Sequence, residues 1–418
     1  MKLKFDVKKI IVFLTFIVFF LVDTRFFYLV DLPSAFSGEA QNKTLLAVTA
    51  IVIFVIYLFF VKNGKISLGN FGLFIASIMF IILLSAIWSL IYFRYPLRQV
   101  LWPLVQFFPL LLYFPFKSVL SKKMYYDLFL KLAEIFYSIL AVLFLIQVIT
   151  YNGISSLFLK IDDMILTKYI YDYSSLRIYS VFEGTTRILM LMVAYAIIKK
   201  GIRNSIFDII SFLLMLAAVV VVDQSRYYLI TTIISVVVLY ILESGYKITG
   251  VQLVSSLILV AVGLHFLLRS TTSIFYSFID NTGSSYARIG AIVYYLKLIT
   301  FRHPLLGLGL SLPIEGTDIY YYIKGPQGIY NFSDIGIFGV FAELGILGLL
   351  WYVILCCKLV FISIKKTQKN PLVIAIVINF LLSLPIMSFI DRPRIVALML
   401  MFVVIETQVG KNEKTINC

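Results

Sequence analysis

Histidine and cysteine are nearly absent from this chain. Among 418 residues there are two histidines and three cysteines, and only 14% of the residues are charged. Cys356, Cys357 and Cys418 offer neither metal-ligand spacing nor a framework of extracellular disulfides. No group of His, Cys and Asp has metal spacing, and no Asp-x-Asp pair marks an early external loop. Metal-dependent catalysis is therefore unsupported, and no cofactor is expected. There is no Walker A motif and no Gly-x-Gly-x-x-Gly after a strand, which argues against chemistry driven by ATP. No internal repeat and no low-complexity tract is evident.

What remains is apolar. Hydrophobic residues make up 61% of the chain, a balance no soluble domain has, and runs of about twenty apolar residues call for a bilayer. The expected fold class is an all-α polytopic membrane protein with about twelve transmembrane helices. They fall near 10–30, 44–61, 71–93, 100–116, 128–150, 186–200, 205–222, 227–243, 250–268, 335–357, 371–390 and 395–408. The whole chain, 1–418, is expected to be one integral membrane domain. The first apolar run has no small-residue cleavage site, so it reads as a span rather than a signal peptide.

Charge sets the orientation. A formal net charge of +15 in a soluble protein would suggest nucleic acid. Here the lysines cap spans, so anionic lipid headgroups are the expected partner and nucleic acid is not. On the expected topology 19 of the 24 lysines share one face, which the positive-inside rule makes cytoplasmic, with both termini. The expected location is the bacterial cytoplasmic (inner) membrane, in many passes. Eleven of the twelve arginines fall on the opposite face. Topology does not account for that, whereas a ligand does: the planar guanidinium fork matches phosphates and carboxylates.

Two external segments are long, 151–185 and 269–334. The second contains an amphipathic stretch, Tyr286–Phe301, expected to be a helix on the outer surface. It is closed by His303-Pro304 and then Gly307 and Gly309.

The outside arginines include Arg226 in a very short loop between apolar spans, Arg288 at the start of the amphipathic stretch, and Arg177 and Arg187 around the entry to the sixth span. Arg94 and Arg98 follow the third span, and Arg392 and Arg394 the eleventh. The plainer account of any one of them is an interfacial arginine snorkelling to headgroups. That account fits the whole set poorly, because lysine would serve as well and is scarce there. Asp334 stands at the head of the tenth span, suited either to act as general base on a sugar hydroxyl or to cap the helix. Glu343, inside that span, reads as a structural polar contact, His265 as a packed residue, and His303 as a turn residue.

The order of these motifs resembles the O-antigen polymerases of the O-antigen ligase/polymerase superfamily. Asp223-Gln224-Ser225-Arg226-Tyr227 is similar to that family's Ser-Arg at the outer start of a span. Arg288, followed by Phe301-Arg302-His303-Pro304-Leu305-Leu306-Gly307-Leu308-Gly309, resembles its external helix and glycine-rich exit. Asp334-Ile335-Gly336-Ile337-Phe338-Gly339, continuing to Glu343-Leu344-Gly345-Ile346-Leu347-Gly348, resembles the entry to the next span. Arg177 with Ser180 and Phe182 is a weaker match. By motif the likeness covers about 170–350. Two departures stand out. Ligases of the superfamily carry a histidine where this chain has Asp334, which points toward the polymerases, and the arginine-x10-glycine motifs of some polymerases are missing at Arg177 and Arg288.

The resemblance implies a GT-C-like, metal-independent glycosyltransferase joining undecaprenyl-diphosphate-linked oligosaccharide units, donor and acceptor alike, on the outer leaflet. It implies a catalytic set of Asp334, Arg288 and Arg226. Arg177, Arg187, Arg302 and Arg394 would bind diphosphate or sugar. A chain-length regulator and a flippase are implied as partners. The alternatives are an O-antigen ligase, a flippase for lipid-linked oligosaccharide, and a small-anion transporter. The last would show broken helices with paired Gly or Pro in both halves, and none is apparent in the sequence.

Overall fold

The computed structural model describes residues 7–30, 39–60, 66–151, 158–160, 178, 184–244, 283–312, 318–365 and 370–416. Every regular element among them is helical. Six stretches are long and apolar enough to cross a membrane: Gly72–Ile91, Leu97–Leu120, Lys123–Thr150, Ile206–Asp223, Gly336–Ile364 and Arg392–Gly410. Thr44–Phe59, Tyr227–Glu243 and Pro371–Ser383 are shorter apolar helices. The described residues are thus all-α, with several helices long and apolar enough to cross a membrane, consistent with an all-α membrane protein. The span expected at 250–268 lies outside the described residues.

Contacts divide the chain into two compact units. The first comprises Met1–Leu68, Phe108–Ser225 and Met399–Cys418; the second comprises Gly69–Phe107 and Arg226–Leu398.

In the first unit, α1 (Val7–Asp23), α2 (Glu39–Phe60), α5 (Tyr113–Leu120), α6 (Lys123–Thr150), α7 (Thr185–Lys200) and α8 (Ile206–Ala218) pack together. A ring cluster of Phe16, Phe19, Phe116 and Phe129 joins α1, α5 and α6. The first eleven residues of α7 are buried on every side, as expected for a helix at the centre of a bundle. Asp23 ends α1 and accepts hydrogen bonds from Tyr137 of α6 and from Thr185 of α7, the latter at 2.7 Å. One carboxylate thereby ties three helices together. The first span ends earlier than expected: after Asp23 the backbone turns through Arg25–Tyr28 with four positive φ values.

The second unit contains α3 (Gly72–Ile91), α4 (Leu97–Val105), α9 (Arg226–Glu243), α10 (Gly283–Arg302), α11 (Asp318–Lys324), α12 (Gly336–Ile364) and α13 (Pro371–Ser383). The helix α14 (Ile395–Ile416) begins here and continues into the first unit. The helix expected at 100–116 lies in the apolar stretch Leu97–Leu120, which contains Pro103, Pro109 and Pro115 and runs as α4, a 3-10 turn over Phe108–Leu112, and α5. Proline removes a helical hydrogen bond and clashes with the preceding turn, so these breaks have a direct cause. Likewise the eleventh span, expected to reach 390, stops at Ser383 and continues as turns.

The main departure from expectation is in α12. Its helix is broken at Gly345, which has φ 64° and ψ −157°, a conformation essentially restricted to glycine. The segment after α10 enters the break. Leu308 N donates to Ala342 O and Gly309 N to Glu343 O, at 2.9 and 3.0 Å, while Ile346 N donates to Pro304 O at 2.8 Å. A Cβ on Gly345 would lie 2.4 Å from Leu305 O, and one on Gly307 2.5 Å from Ala342 O. Each segment satisfies backbone groups the other leaves open, which is the condition for irregular backbone at membrane depth. One broken helix is therefore present, which the sequence reading did not foresee.

Candidate functional site

The helix expected at Tyr286–Phe301 is found as α10, Gly283–Arg302. Ala291, Tyr295 and Ile299 recur at helical spacing and are buried against Leu308, Ile335 and Ala342. Arg288 precedes them on the same stripe. It is half-buried, and its Nε is buried with no hydrogen-bond partner. Two turns on, the Tyr295 ring packs on Phe332 at 4.8 Å. The Tyr295 hydroxyl is pushed up in pKa by burial first, then by Tyr294, Tyr330, Asp334 and Glu343. Arg288 thus lies about 10 Å along the helix from the Asp334 turn, and among the described residues the two form no ion pair.

Asp334 ends a 3-10 turn, Phe332–Asp334. It does not cap α12: the residue before that helix is Ile335, with no side-chain cap. Instead Asp334 Oδ2 accepts from Asn331 Nδ2 at 3.3 Å, and Asn331 Oδ1 accepts from Lys324 Nζ at 3.4 Å. The capping account is set aside. What remains is a half-buried carboxylate held by one neutral amide.

Beside it lies Arg394, which is buried. It pairs with Asp391 at 2.8 Å and donates to the backbone of Ser333 at 3.4 Å. It therefore holds the Asp334 turn, with its charge matched by Asp391. Arg392 pairs with Glu343 at 2.6 Å and reaches Ser311 O at 3.5 Å, so Glu343 is the structural polar contact expected of it.

Arg302 stands at the far end of α10 from Arg288, about 21 Å along the axis. The structure does not bring the two together. Arg302 is exposed and lies beside the Tyr322 hydroxyl. Arg187 is fully buried in the first turn of α7, in the other unit. Arg226 opens α9, but its side chain lies outside the described part, as do Arg177 and His265. No group of His, Cys, Asp and Glu among the described residues could hold a metal ion.

Sequence reasoning missed the surroundings of His303. It does end α10, its N–H bonding Ile299 O at 3.0 Å. It is also buried, with Nε2 2.8 Å from the Tyr322 hydroxyl. Its ring meets Tyr92 at 5.3 Å and Phe93 at 5.0 Å. Burial, reinforced by the Arg302 charge, pulls its pKa down. The Tyr294 and Tyr295 hydroxyls bond the successive carbonyls of Tyr322 and Ile323, at 2.8 and 2.6 Å. These are carbonyls in the last turn of α11, where helical partners run out. The repeated tyrosines of α10 were the visible signal; their partners were not.

Among the described residues the site thus consists of an arginine Nε without an acceptor, a carboxylate without a charge partner, and tyrosines on the helix between them. Against this geometry, no protein-family model matches the chain, and no curated protein matches it.

Proposed function

We propose that this chain is a polysaccharide polymerase of the O-antigen type. It joins undecaprenyl-diphosphate-linked oligosaccharide units on the outer leaflet of a bacterial cytoplasmic membrane. The observation that carries the reading is the pairing pattern. Arg392 and Arg394 are each matched by a carboxylate. Arg288 has no ion-pair partner among the described residues, and its Nε is buried without an acceptor. A donor diphosphate supplies what Arg288 lacks, because anionic oxygens match a guanidinium fork.

In the reaction the acceptor hydroxyl oxygen bonds to the anomeric carbon of the donor sugar. The bond from that carbon to the diphosphate oxygen breaks, and undecaprenyl diphosphate leaves with the electron pair. The hydroxyl proton passes to Asp334. Arg288 stabilises the charge developing on the leaving group, and orienting two lipid-anchored substrates supplies much of the rest. Arg226 and Arg177 belong to the diphosphate set by resemblance. Arg394 acts at one remove, as the residue holding the Asp334 turn.

The break in α12 favours a second reading, a transporter, since such proteins place broken helices around their substrates. One experiment separates the two. The chain is expressed in a polymerase-null strain with its cognate sugars, and the polysaccharide is run as a ladder. A ladder restored by the wild type, and lost in Arg288→Ala and Asp334→Ala at equal membrane abundance, is the expected result. A single repeat unit with no ladder from the wild type refutes the polymerase.

A further inference from the structure

The rings around His303 differ from an ordinary interfacial belt. Belt tyrosines turn their hydroxyls to water. Here Phe93 meets Tyr92, Tyr95, Tyr322 and His303, Tyr92 and Tyr322 also meet His303, and polar atoms are enclosed among them. The Tyr95 hydroxyl and His303 Nδ1 are buried with no hydrogen-bond partner, and their residues are 4% and 5% exposed. Two such orphans in one cluster are costly unless something pairs with them.

The tautomer follows from the neighbours. Arg302, which only donates, lies beside the Tyr322 oxygen. That leaves the Tyr322 hydrogen for His303 Nε2. His303 is neutral, so its proton resides on Nδ1, a donor in want of an acceptor. Of the rings that meet His303, the most exposed is Tyr92, 53% exposed and stacked on Trp88 at 4.3 Å, 11° from parallel. A braced, open aromatic face carries a negative quadrupole that attracts polarised C–H groups. Beside it, among the rings of His303 and Phe93, lie one donor and one hydroxyl, both without a partner. Few ligands offer a C–H face and several hydroxyl oxygens together; a pyranose ring does.

We propose that Tyr92, Tyr95 and His303 form a carbohydrate subsite that takes one pyranose ring against Tyr92, with His303 Nδ1–H donating to a sugar oxygen. The proposal rests on the polymerase reading insofar as the sugar then belongs to the lipid-linked unit. It is distinct from the diphosphate site, about 20 Å away along α10.

The test uses the full chain in nanodiscs and the repeat-unit oligosaccharide released from its lipid in a strain deleted for this chain. Trp88 lies under Tyr92, so binding is read by tryptophan fluorescence and by saturation-transfer NMR. Tyr92→Ala is expected to weaken binding about tenfold, whereas Tyr321→Ala, an exposed tyrosine outside the cluster, leaves it unchanged. His303→Asn keeps an N–H near the Nδ1 position and retains most binding; His303→Gln places its amide at Nε2 and loses it. Equal binding by wild type, Tyr92→Ala and His303→Gln overturns the subsite and leaves ordered water as the partner of both orphans. A wild-type ladder without oligosaccharide binding overturns the subsite alone. Binding without a ladder overturns the polymerase reading and keeps the subsite.

Discussion

The Arg392–Glu343 pair offers a sharp test of what holds the second unit together. At 2.6 Å, with side chains 17% and 9% exposed, the Coulomb attraction is about 6 kcal/mol at an effective dielectric of about 20. Desolvation of both ions offsets most of that gain, so the pair as a whole contributes little net. Removing one partner is different, because it strands a buried charge at a cost of about 3–5 kcal/mol. Arg392 retains some solvent contact, which puts Glu343→Leu near the lower end. Arg392→Met strands Glu343, the more enclosed of the two, and falls higher. The double variant Glu343→Leu with Arg392→Met strands nothing and is expected within about 1 kcal/mol of wild type. Unfolding in mixed micelles, followed by circular dichroism, supplies the double-mutant cycle. Additive single effects, with coupling under about 1 kcal/mol, would place the pair among weak surface ion pairs and refute this account.

Other expectations follow from the same geometry. Gly345→Ala forces a Cβ to 2.4 Å from Leu305 O and requires a backbone conformation alanine avoids; membrane abundance should fall sharply, and normal abundance with normal melting would contradict the break. Tyr295→Phe leaves the Ile323 carbonyl without its 2.6 Å bond and should cost about 1 kcal/mol, measured by the same unfolding assay. The lowered pKa of His303 means that the unfolded chain binds its proton more readily than the folded chain. Stability from this group is therefore fully present above the ordinary histidine value of 6.5 and is lost as pH falls below it. His303→Gln should flatten that acid limb in a melting-temperature profile, and an unchanged limb would show that other groups cause it.

The sequence carried some of this plainly. The apolar positions of 286–301 repeat at helical spacing, and α10 is there within a few residues. Asp334 and Glu343 were visible as carboxylates at a helix start and inside a helix, but only the fold shows that Glu343 is matched by Arg392, 49 residues away. The break in α12 was hidden because Gly345 is one of several glycines, with Gly336, Gly339 and Gly348, in a mostly apolar stretch, and nothing local singles it out. The interruption around Pro109 was legible from Pro103, Pro109 and Pro115 and was overridden by hydrophobicity. The surroundings of His303 could not be read locally: its partners come from Tyr92 and Phe93, more than 200 residues earlier, and from a short helix beyond a turn.

The broken helix also acts as a depth gauge. As one straight rod, the 29 residues of Gly336–Ile364 would be about 43 Å long at about 1.5 Å per residue, well beyond a hydrocarbon core of about 30 Å. Cut at Gly345, the remaining length Ile346–Ile364 is about 28 Å, close to the thickness of that core. With Ile346–Ile364 as the spanning part, the kink would fall near the hydrocarbon boundary and the preceding half-helix, with Asp334 just before it, near the headgroups. A diphosphate on a membrane-anchored lipid has its own fixed height, at the headgroups. On the proposed function, that height matches the Asp334 end of the half-helix, so the lipid tail would stay in the bilayer while its sugar is reached.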